Sequence, residues 1–360
     1  MDYISYKYKT AFLSLTYLVV AALCLLLAGC DVNISGPGFG SSSSGCQSNC
    51  TTGSGVHGVQ VFVEPDAGEH PITDAIGAAK KSVWLEMYLL SDRNVIRALE
   101  EAAARGVDVR VMLEPHPVGS GSPASTMDQL RAAGAKVEDS DPSFALTHEK
   151  GMIIDAATAY IMTSNFTRSA LGSYSVSSGY DNREYDIVDT NTQDVQAVSA
   201  IFQADWNRTT AQFNDSNLVV SPVNSRSDFT TLINSAHKTL LIEAEEMNDT
   251  AIEQALANAA QHGVQVQVIL PSPQGSSSDS NSQGIAAIKQ GGVQVREDPH
   301  LYMHAKIIVV DGQKAFVGSE NISTESLDQN RELGIIVSDS GVLNTLQQTF
   351  QQDWGDSQGV

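Results

Sequence analysis

The stretch HEKGMIID runs from His148 to Asp155, and HAKIIVVD runs from His304 to Asp311. Both obey the spacing His-x-Lys-x4-Asp, with 304 − 148 = 156 positions between them. The surroundings repeat as well. AAKKSVWLEMYLL, VIRALEEAAARGVDVRVMLEP and LRAAGAKVEDSDP precede the first stretch. SAHKTLLIEAEEM, AIEQALANAAQHGVQVQVILPSP and IKQGGVQVREDP precede the second. Downstream, NREYDIV answers NRELGII, and FQADW (202–206) answers FQQDW (350–354). A period this long does not suit a solenoid and marks a duplicated domain.

Each copy reads as strand, helix, strand, helix, strand, motif strand, strand and helix. SVWLEMYLL and VDVRVMLEP are β-type runs of strand length. Between them Ile96, Leu99 and Ala103 lie at helical spacing, and Gly106 stops that helix as Gly263 stops its counterpart. Strands alternating with helices predict the α/β class. The expected architecture is two duplicated α/β/α sandwich domains related by a pseudo-two-fold axis, with the site at their interface. The first domain is expected over 56–213, a connector over 214–225 and the second domain over 226–360. Such a chain is expected to be a monomer that contains its own pseudo-dimer.

Along an extended strand His304 and Lys306 share a face, as do His148 and Lys150. Asp155 and Asp311 stand seven positions beyond their histidines, so they are expected to hold a turn and not the reacting group. Duplication would bring two imidazoles and two ammonium groups into one cleft. A neutral imidazole can attack phosphorus, while a protonated one can donate to the leaving alcohol. The lysines would neutralise the non-bridging oxygens, and Asn165 and Asn321 would add hydrogen bonds. This chemistry calls for no metal and no cofactor. Two interacting imidazoles predict a bell-shaped pH profile.

The doubled motif, with its trailing hydroxyl and amide residues, resembles the phospholipase D superfamily. The second copy fits H-x-K-x4-D-x6-G-S-x-N through His304, Lys306, Asp311, Gly318, Ser319 and Asn321. The first copy keeps His148, Lys150, Asp155 and Asn165, but has Met162 and Thr163 where Gly and Ser are usual. That departure bears on close backbone approach, since Met does not replace Gly at positive φ. The resemblance covers about residues 56–356. It implies a metal-independent reaction at a phosphodiester through a covalent phosphohistidine, with His148 as nucleophile and His304 as acid. It also implies that Glu184 and Glu332, each in an NRE run, orient the imidazoles.

Lys7 and Lys9 precede an apolar run from Ala11 to Leu27, and LAGC ends at Cys30. This layout resembles a bacterial lipoprotein signal, which implies removal of 1–29 and a lipid on Cys30. Residues 30–55 read as a Gly/Ser-rich tether, and Cys46 and Cys50 within it are expected to form a small disulfide. The expected location is therefore the bacterial cell envelope, with the body beside a membrane. The formal net charge of −21 leaves no basic stripe for nucleic acid. Phospholipid is accordingly the expected substrate, cleaved or transferred at its headgroup phosphodiester. An extracytoplasmic endonuclease, a cardiolipin synthase-like phosphatidyl transferase and an anchored phosphate-binding module are the alternatives. The first copy carries extra residues around RSALGSYSVSSGYDN, expected as a loop over the site with Tyr174 and Tyr180.

Overall fold

The computed structural model describes residues 58–172, 181–273 and 279–360. The first copy forms a mixed sheet from β1 (Val59–Glu64), β2 (Ser82–Met87), β3 (Asp108–Leu113), β4 (Lys136–Asp139), β5 (Lys150–Ile154), β6 (Thr158–Met162) and β7 (Asn182–Asp189). Their order is β1-β7-β6-β5-β2-β3-β4. The second copy uses β8 (Leu218–Ser221), β9 (Thr239–Ala244), β11 (Gln265–Pro271), β12 (Gln294–Asp298), β14 (Lys306–Val310), β15 (Lys314–Gly318), β17 (Glu332–Val337) and β18 (Gln358–Gly359). These lie in the order β18-β12-β11-β9-β14-β15-β17-β8, so the path of the first sheet recurs with β18 added at one edge. Of the shorter strands, β10 (Met247–Asn248) pairs with β16 (Ile322–Ser323), and β13 (Tyr302–Met303) crosses to pair with β7.

The motif strands are central, and every residue of β5 and β14 is buried. Burial on both faces explains why KGMII and KIIVV show continuous apolar runs and no alternation after their lysines. Helix Arg93–Ala104 is capped by Asp92, whose carboxylate accepts from the backbone of Asn94 and Val95. Its counterpart Thr250–Gln261 is capped by Asp249. Gly106 and Gly263 follow these helices with φ of 87° and 93°, a left-handed turn that glycine adopts freely.

One apolar cluster joins the halves. It includes Ile161 and Ile187 of the first sheet, Val317 and Ile335 of the second, and Ile201 and Phe350 of the helices Thr192–Trp206 and Ser340–Asp356. Separate clusters lie under the remaining helices of each half. Trp206 stacks on Phe202, and Trp354 stacks on Phe350, with ring centroids 5.8 Å apart in both pairs.

Two expectations need correction. Residues 214–225 are not merely a connector, because β8 lies there and pairs with β17 as β1 pairs with β7. Four residues are too few for a strand period to be read from sequence. Gly318 does not take a positive φ. Its requirement is close approach: a Cβ there would come within 2.4 Å of Gly334 Cα. In the first half Met162 faces Asp186 at this register, where the second half sets Gly318 against Gly334. The signal and tether, with Cys30, Cys46 and Cys50, lie outside the described residues, as do Tyr174 and Tyr180. Among the described residues no helix is long and apolar enough to cross a membrane.

Candidate active site

The segment leading into each motif histidine is hydrogen-bonded to the NRE strand of the other half. His148 N donates to Arg331 O (2.9 Å), and Arg331 N donates to Leu146 O (2.8 Å). In the second half β13 runs parallel to β7, pairing Tyr302 with Asn182 and Met303 with Arg183. This lacing crosses the carboxylate partners. His148 Nδ1 lies 3.0 Å from Glu332 Oε2, and His304 Nδ1 lies 2.9 Å from Glu184 Oε2. With Nδ1–H donating to a carboxylate, Nε2 of each ring is left for the cleft.

Each carboxylate is fixed in turn by its own half. Ser319 Oγ donates to Glu332 (2.7 Å), as do Ser326 and Asn330. Thr163 Oγ1 donates to Glu184 (2.7 Å), and so does Asn182. The hydroxyl that survives in the first copy therefore serves the same purpose as the serine of the second. Burial works against the charge on Glu332, yet His148 and Lys150 hold its carboxyl below the ordinary value.

The two lysines are nearly inaccessible, and each Nζ donates to the carbonyl of its own histidine at 2.6 Å. Burial and the neighbouring Lys306 ammonium pull Lys150 down to about 7. Burial also lowers His148, against the attraction of Glu332. Lys306 lowers both His148 and Lys150, and against burial His304, Lys306 and His148 all hold the Glu245 carboxyl down, so the two crossed motifs lie within electrostatic reach of each other. Asn321 Nδ2 faces Glu245 Oε2 at 3.5 Å, whereas Asn165 Oδ1 accepts from Leu89 N at 3.2 Å.

Asp155 and Asp311 sit away from this chemistry. Asp155 accepts from the backbone N–H groups of Lys80, Lys81 and Ser82, and Asp311 from those of His237, Lys238 and Thr239. Both stand at the ends of their motif strands with φ near 55° and 53°. Partial burial opposes their charge, but the backbone donors hold both carboxyls below the ordinary range.

Several residues at the site escaped the sequence reading. Arg183 of the first half clamps Asp353 of the second (Nε–Oδ2 2.7 Å), and Arg331 of the second clamps Asp205 of the first (Nη2–Oδ1 2.9 Å). All four are buried. The signal was present, since both arginines fall in NRE runs and both aspartates in the FQ-x-DW repeats. Glu245, whose place in the sequence carries no motif, lies on Lys306, His304 and Asn321. Behind the motif strand, carboxylate oxygens of Glu86, Glu149 and Asp205 lie within 4.8 Å of one another. Burial and mutual repulsion raise Glu86 and Glu149, and the Arg331 guanidinium, paired with Asp205, works against the rise.

Comparison with known proteins identifies the lineage. The family described as "Cardiolipin synthase, PLD-like domain" matches residues 72–206 and 229–354. The chain belongs to this PLD-like family. The two matched PLD-like segments are the two sheets with their helices. A cardiolipin synthase of Oceanobacillus iheyensis is 26% identical over 339 residues, covering 82% of this chain and 68% of that protein. One from Clostridium perfringens is 24% identical over 330 residues, covering 77% of this chain and 66% of that protein. The chain thus spans about two thirds of the length of these curated relatives. Among solved structures, the phosphatidylserine synthase of Haemophilus influenzae superposes with a TM-score of 0.62 at 15% identity, over 84% of this chain and 87% of that one. A polyphosphate kinase from Porphyromonas gingivalis gives 0.65 at 17% identity, over 81% of this chain and 46% of that one. These likenesses establish the PLD-like fold with two repeated domains.

Proposed function

We propose that the protein is a phosphatidyl transferase of the cardiolipin synthase type, acting on membrane phospholipid through a phosphohistidine. One observation carries the reading: two imidazoles in one cleft, each tied through Nδ1 to a carboxylate of the opposite half. His148 Nε2 attacks phosphorus, and His304 protonates the departing alcohol. His304 then takes the proton of an acceptor alcohol as its oxygen attacks the phosphohistidine, which releases His148. Lys150 and Lys306 balance the charge of the phosphoryl oxygens, and Asn165 and Asn321 line the same cradle. Glu184 and Glu332 support whichever imidazole is cationic.

The sequence alone favoured a broader phospholipase D-type activity. Cardiolipin synthase relatives of the same family, about two thirds of whose length the chain spans, support transfer over simple hydrolysis. The strongly acidic chain supports lipid over nucleic acid, and a lipid on Cys30 would keep the body beside its substrate.

Purified protein offered phosphatidylglycerol vesicles in the presence of chelator is expected to release glycerol and form cardiolipin. His148→Ala and His304→Ala are expected to lose this activity. Phosphatidate as sole product would replace the transferase by a hydrolase, and nicking of plasmid DNA without lipid turnover would overturn the lipid assignment.

A further inference from the structure

The pseudo-symmetry of the cleft breaks beside the two motif histidines. Aligning SVWLEMY (82–88) with TLLIEAE (239–245) sets Tyr88 of the first half against Glu245 of the second. Tyr88 meets the His148 ring edge-on, with centroids 4.7 Å apart, and its hydroxyl accepts from Val118 N. Glu245 does something different. Its Oε2 lies 2.8 Å from Lys306 Nζ, 3.4 Å from His304 Nε2 and 3.5 Å from Asn321 Nδ2. Its Oε1 accepts from Tyr302 OH at 3.1 Å.

Lys306 Nζ, His304 Nε2 and Asn321 Nδ2 are the groups that a phosphoryl oxygen would need in this half of the cleft. All three converge on one carboxylate oxygen. Among the described residues the equivalent groups of the first half have no such carboxylate partner, and the phenol of Tyr88 stands at the matching position. A planar carboxylate and a tetrahedral phosphodiester are both oxygen anions that draw on the same charged donors. Lys306 Nζ already donates to His304 O and to Glu245, and His304 Nε2 and Asn321 Nδ2 face the same carboxylate oxygen, so a phosphoryl oxygen that draws on all three donors competes with Glu245 for them.

We infer that Glu245 is a resident competitor of the substrate phosphate: its carboxylate occupies the second-half cradle and is exchanged for phosphoryl oxygens when substrate binds. The inference rests on the reading of the cleft as a phosphate site. The exchange swaps one charge-assisted hydrogen bond for another, so net anion affinity is weakened although the donors are strong. The residue acts on binding: neutralising it should lower KM, whereas a merely structural carboxylate would show itself in stability or kcat.

The test is tungstate binding by isothermal titration calorimetry to the full-length protein, its Glu245→Gln variant and its Glu245→Tyr variant. Glutamine keeps the shape of the side chain, and tyrosine copies the residue the chain already uses beside His148. Both variants should bind tungstate at least about tenfold more tightly, the scale set by one charge-assisted hydrogen bond. Unchanged or weaker binding in both overturns the inference. Absence of tungstate binding in all three proteins overturns the phosphate cradle and the inference together. Tighter tungstate binding without lipid turnover leaves the inference standing and removes only the lipid reaction.

Discussion

Glu184 of the first half receives the Nδ1–H of His304 from the second half, 120 positions further along the chain. The same relationship joins His148 to Glu332 across 184 positions. Replacing Glu184 by Gln keeps the volume but offers an amide to Nδ1, so the ring loses its fixed tautomer. We expect kcat for phosphatidyl transfer to fall by about 10²- to 10⁴-fold, with the fold retained by circular dichroism. Activity within a few fold of wild type would show that the carboxylate does not orient the ring.

The Arg183–Asp353 pair is buried and bridges the halves. Arg183→Leu would strand Asp353 without a counter-charge and is expected to destabilise the protein by about 3–5 kcal/mol in urea unfolding. Adding Asp353→Leu should recover most of that loss, because the uncompensated charge is removed. If the double variant is no more stable than the single one, the cost lies elsewhere than in the stranded carboxylate.

Activity should have an optimum in pH. Burial holds His148 below its ordinary 6.5, so the neutral, nucleophilic ring persists into mildly acidic solution. The acid limb of kcat/KM is therefore expected below 6.5. Lys150 is pulled down to about 7, so its positive charge is lost as pH rises through that value, and the rate should decline. Lys150→Arg keeps its charge throughout and should carry the alkaline limb upward while leaving the acid limb in place. An alkaline limb that does not move in that variant would assign it to another group.

Asp155 ties the end of its motif strand to the turn at Lys80, Lys81 and Ser82. Asp155→Ala leaves three backbone donors to solvent and is expected to cost about 1–2 kcal/mol of stability. The cleft itself should be untouched, so kcat at a temperature where the variant is folded should stay within about twofold. A fall in kcat without a fall in stability would place Asp155 in the chemistry.

The duplication, the α/β alternation and the two His-x-Lys pairs are legible because they are local: strand length, helical spacing and repeated words. Glu184 and Glu332 were named through the NRE runs, but their exchange between halves was not, since it depends on which strand each motif segment joins. The Arg183–Asp353 and Arg331–Asp205 clamps were written in the repeats, yet nothing local shows that an arginine and an aspartate so far apart will meet. Glu245 illustrates another limit. The alignment places it opposite Tyr88, but only the fold shows that its carboxylate turns onto Lys306.

The crossed His–Glu pairs have a consequence for inheritance. A single excised half would take a histidine and leave its carboxylate behind, so it could complete the pair only by associating with a second copy of itself. A change at Glu332 is felt at His148, so selection reads the two copies as one locus. Elsewhere the two copies are free to differ, as Met162 and Gly318 do.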